Sequence, residues 1–265
     1  MNARQLVRDA ATVYLAPMRR PLVVLGFLVA ISPALPAQAP EPPIADTRLT
    51  VHTLVREDVF AGFLQNDIAR LARAEKNIDL LLASRPADRA RLLAWQGGAT
   101  LTRAALANEA NQPAQFQQLH RRARDLFAEA IRLGPDDVGV FAVTGGSEAV
   151  LADRLPAAER AAGWELAYTA YQQLWKLQHA IIEKLPLHHK GEVLTGLAQS
   201  AQRTGRDAEA LEQLDRILTL MPDTPYAKRA QQWKDDPSSR AQSKLTCQTC
   251  HGPGTLVARL AEVSK

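Results

Sequence analysis

The C-terminal part of the sequence holds the residues whose types and spacing point most directly to chemistry. Cys247 and Cys250 are the only two cysteines among 265 residues, and His251 directly follows the second. Thiolates and neutral imidazole are ligands for transition metals, and two thiols three positions apart can also form a disulfide. The spacing therefore predicts a covalent or metal-dependent site in this short segment.

The run from Cys247 through Cys250 to His251 resembles the attachment motif of c-type cytochromes. The resemblance implies one covalent haem c, with both thiols added across its vinyl groups and His251 as the proximal iron ligand. Residues 245–265 are accordingly predicted to form a haem-attachment tail. Residues 234–244 are polar and contain a proline, which predicts a flexible tether before it.

Two other interpretations of the cysteine pair stay open. The pair could form a structural or redox disulfide in an oxidising compartment. A thioredoxin-like enzyme would place such a pair at the start of a helix in a βαβ unit, and the surrounding sequence has no such pattern. A zinc site would lack a fourth ligand, because the motif offers only two thiols and one imidazole.

The second axial ligand of a haem at this position must come from elsewhere. The 14 residues after His251 contain neither histidine nor methionine, so the ligand comes from upstream, from another chain or from no residue. The upstream candidates are His188 and His189, predicted in a turn after a proline, and Met221, for which a core or turn role is the stronger interpretation. The other histidines are predicted to lie at the surface or to cap helices: His52, His120 and His179.

The N-terminal region has the pattern of an export signal. Arg19 and Arg20 precede an apolar stretch of 14 residues and a small-x-small cleavage site at 37–39. A membrane-spanning helix needs about 20 apolar residues, so this stretch is too short for one. Residues 1–39 are therefore predicted to be a signal peptide, with translation from Met18 as an alternative start. The mature protein is expected in the periplasm or otherwise outside the cytoplasm.

The central region is predicted to be helical. From residue 50 to residue 233, apolar residues recur three and four positions apart, and alternating β-type runs are missing. Residues 40–49 are predicted to be a short extended linker before this array. The prolines that close strongly amphipathic segments are Pro86, Pro135, Pro186 and Pro222. This punctuation predicts four helical hairpins.

The last hairpin carries the most specific pattern. Small residues at Ala198 and Ala210 let two helices approach, Gly205 makes the turn, and Pro222 ends the second helix. This spacing resembles the tetratricopeptide repeat, a helix–turn–helix of 34 residues. A second match begins near residue 55, whereas the two middle units match only in their second helices. The resemblance implies an all-α array of stacked hairpins whose concave surface binds a protein partner; an unrelated helical bundle is the alternative.

Composition, charge and motifs exclude several classes of function. Without residues 1–39 the chain has 28 basic and 27 acidic residues, so it is nearly neutral. Its basic residues form no continuous stripe that could bind a row of phosphates. The charge pattern therefore excludes nucleic acid as a partner. Gly145, Gly146 and Ser147 match neither a phosphate loop nor a nucleophile elbow, and no hydrolase or transferase constellation is found. The sequence predicts an electron-transfer or redox-docking protein rather than an enzyme. The first alternative is a binding scaffold without haem. A haem enzyme such as a peroxidase stays open as a third possibility, although the sequence identifies no acid–base residue for it.

Overall fold

The computed structural model describes residues 44–241 and 243–245, and in this part of the chain the backbone is helical without a β-strand. The predicted all-α class is confirmed. The predicted signal peptide and the motif at Cys247, Cys250 and His251 lie outside the described residues. None of the helices in the described part is both long and apolar enough to cross a membrane.

Nine α-helices follow one another in the described residues. They are α1 (Val51–Gln65), α2 (Ile68–Ser84), α3 (Arg89–Glu109), α4 (Pro113–Leu133), α5 (Val138–Leu151), α6 (Ala157–Gln178), α7 (Leu187–Arg203), α8 (Asp207–Leu220) and α9 (Pro225–Asp235). The most extensive contacts join α3 to α4, α5 to α6, α7 to α8 and α1 to α2. These pairs are the four helical hairpins that the proline punctuation predicted, and α9 packs on α8 after the last of them.

Short polar signals set the helix boundaries. Asp67 caps α2 by accepting a hydrogen bond from the backbone N–H of Arg70 (3.0 Å), and Thr224 caps α9 by accepting one from Ala227 (3.2 Å). Gly205 has a φ of 76° in the turn between α7 and α8. Glycine adopts this left-handed conformation without a steric penalty, so the predicted turn has a backbone reason.

The hairpins stack in chain order. The first helices of successive hairpins contact one another, α1 with α3, α3 with α5 and α5 with α7, and each second helix also contacts the next first helix. One apolar core fills the first two hairpins and includes residues of α5, and a second core fills the last two hairpins. Ile131 of α4 packs against both cores. This order places the first helices side by side along one face of the array.

Gly145 and Gly146 lie in the middle of α5, although glycine has a low helix propensity. Glycine inside a helix costs about 1 kcal/mol relative to alanine. A Cβ atom at Gly145 would lie 3.1 Å from the ring of Tyr171 in α6, so the bare backbone lets the two helices approach closely. Gly146, its neighbour, lies at the surface of a cavity described below.

The described part of the predicted linker is folded against the array. Arg85, at the end of α2, donates hydrogen bonds to the carbonyl oxygens of Leu49 (2.6 Å), Asp46 (2.8 Å) and Ile44 (3.3 Å). Residues 44–49 form turns and not the extended segment that the sequence predicted. One guanidinium has five N–H donors, so it is able to bind three carbonyls of this segment at once.

The described part of the predicted tether also differs from the expected flexible segment. Residues 234 and 235 complete α9, and Arg203 of α7 donates hydrogen bonds to the carbonyl oxygens of Arg240 and Ser243. Leu245 is fully buried in the second core. The polar composition predicts a flexible tether, but the half-buried Arg203 of α7 holds residues 240 and 243 to the array. Leu245 is the first residue of the predicted haem-attachment tail.

Candidate functional site

The first helices of all four hairpins surround one cavity of about 470 Å³. Residues of α1, α3, α5 and α7 form most of its wall, and α6 and α9 complete it. A volume of this size is typical of a site for a small organic ligand. We call it the groove cavity; it is the candidate for the concave binding surface that the sequence predicted.

Aromatic and aliphatic side chains form the deeper wall of the groove cavity. Phe60 and Trp95 meet edge to face with ring centroids 5.9 Å apart. Val143, Leu174 and Tyr226 continue this surface on α5, α6 and α9. A flat or elongated apolar group could therefore be buried there against aromatic rings.

His52 is half-buried in the same wall, so the surface or capping position predicted for it is wrong. Its hydrogen bond to Trp95 fixes its chemical form. The indole N–H of Trp95 donates to Nδ1 of His52 at 2.9 Å. Nδ1 must then be the acceptor, so the neutral ring carries its hydrogen on Nε2. Burial, with the nearby positive charge of Arg91 as a second cause, lowers the pKa of His52, which keeps the ring neutral.

Charged and titratable side chains gather at the rim of the groove cavity: Arg56, Arg91, Asp137, His188, His189 and Glu192. The side chains of Arg56 and Arg91 are 40% and 42% exposed, so both guanidiniums can meet a ligand that enters. Arg91 also pairs with Asp137 at 2.8 Å, an ion pair that fixes its position. The two guanidiniums would suit an apolar molecule with anionic substituents.

Glu192 lies on α7, one turn after His188, with its Oε2 3.9 Å from Nε2 of that histidine. Burial raises the pKa of the Glu192 carboxyl to about 7, and the positive charge of Arg56 opposes this shift. Near neutral pH the carboxyl is therefore only partly ionised, and its negative charge on the rim depends on pH.

The structure separates the three upstream candidates for an axial ligand. His188 and His189 are exposed, line the groove cavity, and lie in the first turn of α7 instead of the predicted interhelix turn. Met221 is 2% exposed and belongs to the second core, as the stronger interpretation of it predicted. The two histidines are thus beside the cavity, and the methionine is packed inside the protein.

The described chain ends on the same face that lines the groove cavity. Glu192 and Thr195 of α7 line the cavity and are three positions apart, and Gln199 follows four positions later, so all three lie on one face of the helix. The backbone N–H of Leu245 donates to Oε1 of Gln199 at 2.6 Å. Lys244 donates to the carbonyl oxygen of Val150 on α5 at 2.9 Å, one turn beyond the cavity residue Ser147. The chain that leads to Cys247 is therefore bound next to the cavity.

A second polar cluster is buried between α4 and α5, away from the rim. Glu148 is completely buried and pairs through Oε1 with Arg124, while its Oε2 has no hydrogen-bond partner within the described residues. Arg124 also contacts Nε2 of His120, which is 8% exposed. The surface or capping position predicted for His120 is therefore wrong, because Phe116 and the Arg124–Glu148 pair cover it. His179, in contrast, caps the end of α6 by donating to the carbonyl of Lys176 (3.1 Å), as predicted.

Burial raises the pKa of Glu148 from 4.5 to about 7, although Arg124 favours the ionised form. Between about pH 4.5 and pH 7, Glu148 is therefore protonated in the folded chain and ionised in the unfolded chain. The free energy of unfolding should fall as pH rises through this window, and the loss should be constant above about pH 7. Sequence reasoning missed this group, although Glu148 is the one charged residue in the run Val138–Leu151, and a single charge in such an apolar helix indicates burial.

The free energy of unfolding of wild type should fall relative to that of Glu148→Gln as pH rises from about 5 to about 7, because glutamine does not titrate. The difference should change by up to roughly 1.4 kcal/mol per pH unit. Urea denaturation at several pH values measures this difference. The control is Glu159→Gln, since Glu159 lies 4.0 Å from the same His120 but is 42% exposed. A difference that does not change with pH in Glu148→Gln, or an equal slope in the control, would contradict the assignment.

The chain matches no protein-family model, and no curated protein or solved structure matches it either. No group of three or more histidine, cysteine, aspartate or glutamate side chains that could hold a metal ion occurs in the part of the chain that the structure describes.

Proposed function

We propose that this chain is an exported c-type haem protein that transfers single electrons or docks to a redox partner. Cys247 and Cys250 would hold the haem covalently, and His251 would coordinate its iron. When bound, the haem supplies a one-electron redox couple at its iron. The helical array would hold a partner protein beside it, as the resemblance to tetratricopeptide repeats implies.

The position of Leu245 is the observation that supports this proposal most directly. Its buried side chain and its hydrogen bond to Gln199 fix the chain two residues before Cys247. Two residues span at most about 7 Å, so a haem on Cys247 would be attached close to the end of the described chain. A haem on this motif would therefore meet the array, whose aromatic wall and rim arginines suit a porphyrin with two carboxylates.

The proposal is tested by expression with its export signal in a host that matures c-type cytochromes. Wild type should retain a haem stain after denaturing electrophoresis, and Cys247→Ala/Cys250→Ala should lose it completely, because the thioether bonds need both thiols. Thr249→Ala changes a residue between the two cysteines and should keep the stain. Absorption spectra of the purified proteins should agree with the stain.

An unstained wild-type protein, from a host that matures a control cytochrome in parallel, would reject the haem proposal. Thiol counting under denaturing conditions would then examine the alternative, a binding scaffold whose Cys247 and Cys250 form a disulfide. Two reactive thiols only after reduction would favour that scaffold.

A further inference from the structure

The groove cavity and the chain end that docks beside it point to a second iron ligand. We propose that the His188–His189 pair supplies the sixth ligand of the haem, with the porphyrin inserted into the groove cavity. This inference depends on the proposed haem at Cys247 and Cys250. It adds a site for the porphyrin and a coordination state for the iron.

Chain length allows this arrangement. Gln199, which binds the backbone of Leu245, lies 10 residues after His189 on α7, a distance of about 15 Å along the helix axis. The six residues from Leu245 to His251 can span up to about 20 Å. The motif can therefore start beside the cavity and still bring its iron within reach of the histidine pair.

The lining of the groove cavity fits a porphyrin. Phe60, Trp95 and Leu174 offer an apolar surface for the macrocycle, and the exposed guanidiniums of Arg56 and Arg91 can pair with its two carboxylates. A peptide side chain would use the same wall, but the chain segment that the structure places next to this groove, Lys244 and Leu245, belongs to the protein itself and directly precedes the motif. We therefore assign the cavity to the protein's own haem.

Other side chains near the cavity are poorer ligands than the pair. Nε2 of His52 carries the hydrogen of the neutral ring, since Nδ1 accepts from Trp95, and so it has no lone pair for iron. Met221 is 2% exposed and packs in the second core. His188 and His189 are exposed at the rim with ring centroids 5.7 Å apart, which places two imidazoles where an iron could bind either.

The spin state of the iron tests the proposal. Purified wild type should give a six-coordinate, low-spin ferric spectrum, and His188→Ala/His189→Ala should convert it to the high-spin form. Added imidazole should restore the low-spin spectrum in this variant, which separates the loss of a ligand from misfolding. The two single substitutions then identify the ligand. His179→Ala and Met221→Leu are controls and should stay low-spin, because neither residue lines the groove cavity.

The two proposals fail differently. If the haem stain after denaturing electrophoresis is absent, the proposed function fails. If all variants keep the stain but wild type is already high-spin, or the double histidine variant remains low-spin, the ligand assignment is overturned and the haem proposal survives. Conversion to high-spin in the Met221→Leu control would assign the ligand to the methionine instead.

Discussion

Replacement of Asp58 by alanine should lower the free energy of unfolding by about 3–5 kcal/mol, the usual cost of removing one partner from a buried ion pair. Asp58, in α1, is 4% exposed. Its carboxylate accepts hydrogen bonds from Nε of Arg70 at 2.7 Å and from Nε of Arg73 at 2.6 Å, both in α2. The substitution would leave two largely buried guanidiniums without the carboxylate that joins the helices of the first hairpin.

Urea denaturation followed by circular dichroism measures this effect. The matched control is Glu129→Ala, which removes an exposed carboxylate that pairs with Arg132 on the surface of α4. Exposed pairs contribute little, so the control should unfold at nearly the same urea concentration as wild type. A loss in Asp58→Ala no greater than that of the control would show that the buried pair does not stabilise the hairpin.

Gly196→Ala should destabilise the protein by up to about 2 kcal/mol, because overpacking a core costs about 1–3 kcal/mol and alanine gains about 1 kcal/mol over glycine inside a helix. Gly196 lies in α7 against the ring of Tyr171 in α6, which is fully buried. A Cβ atom at Gly196 would lie 2.1 Å from Cζ of that ring, so the ring or a helix must move. This cost exceeds the gain of about 1 kcal/mol that alanine brings inside a helix.

Gly163→Ala is the control for the glycine prediction. Gly163 is also inside a helix, but the nearest atom to its added Cβ would be Cβ of Ala152 at 3.3 Å. A shift of a few tenths of an ångström relieves this contact, so this variant should be as stable as wild type or slightly more stable. Equal thermal midpoints for the two variants would contradict the close packing of α7 on Tyr171.

Local sequence patterns were sufficient for the helices and for the pairing of neighbours. Apolar periodicity and the four prolines predicted hairpins that the helix contacts confirm, because adjacent helices joined by short turns have few other ways to bury their apolar faces. The same rules failed at His188 and His189. The proline before them was interpreted as the end of a unit with a loop after it, but it also precedes the first turn of α7.

The sequence by itself determined the all-α class and identified Cys247, Cys250 and His251 as the residues with a recognisable chemistry, since both depend on short spacings along the chain. Only the tertiary structure decided which distant residues meet. Trp95 binds His52 across 43 positions and Lys244 binds Val150 across 94. The groove cavity depends on such contacts, because it is formed by the stacking of four hairpins. The pattern of one hairpin predicts how its own two helices pair, but it does not specify how the next hairpin packs on it.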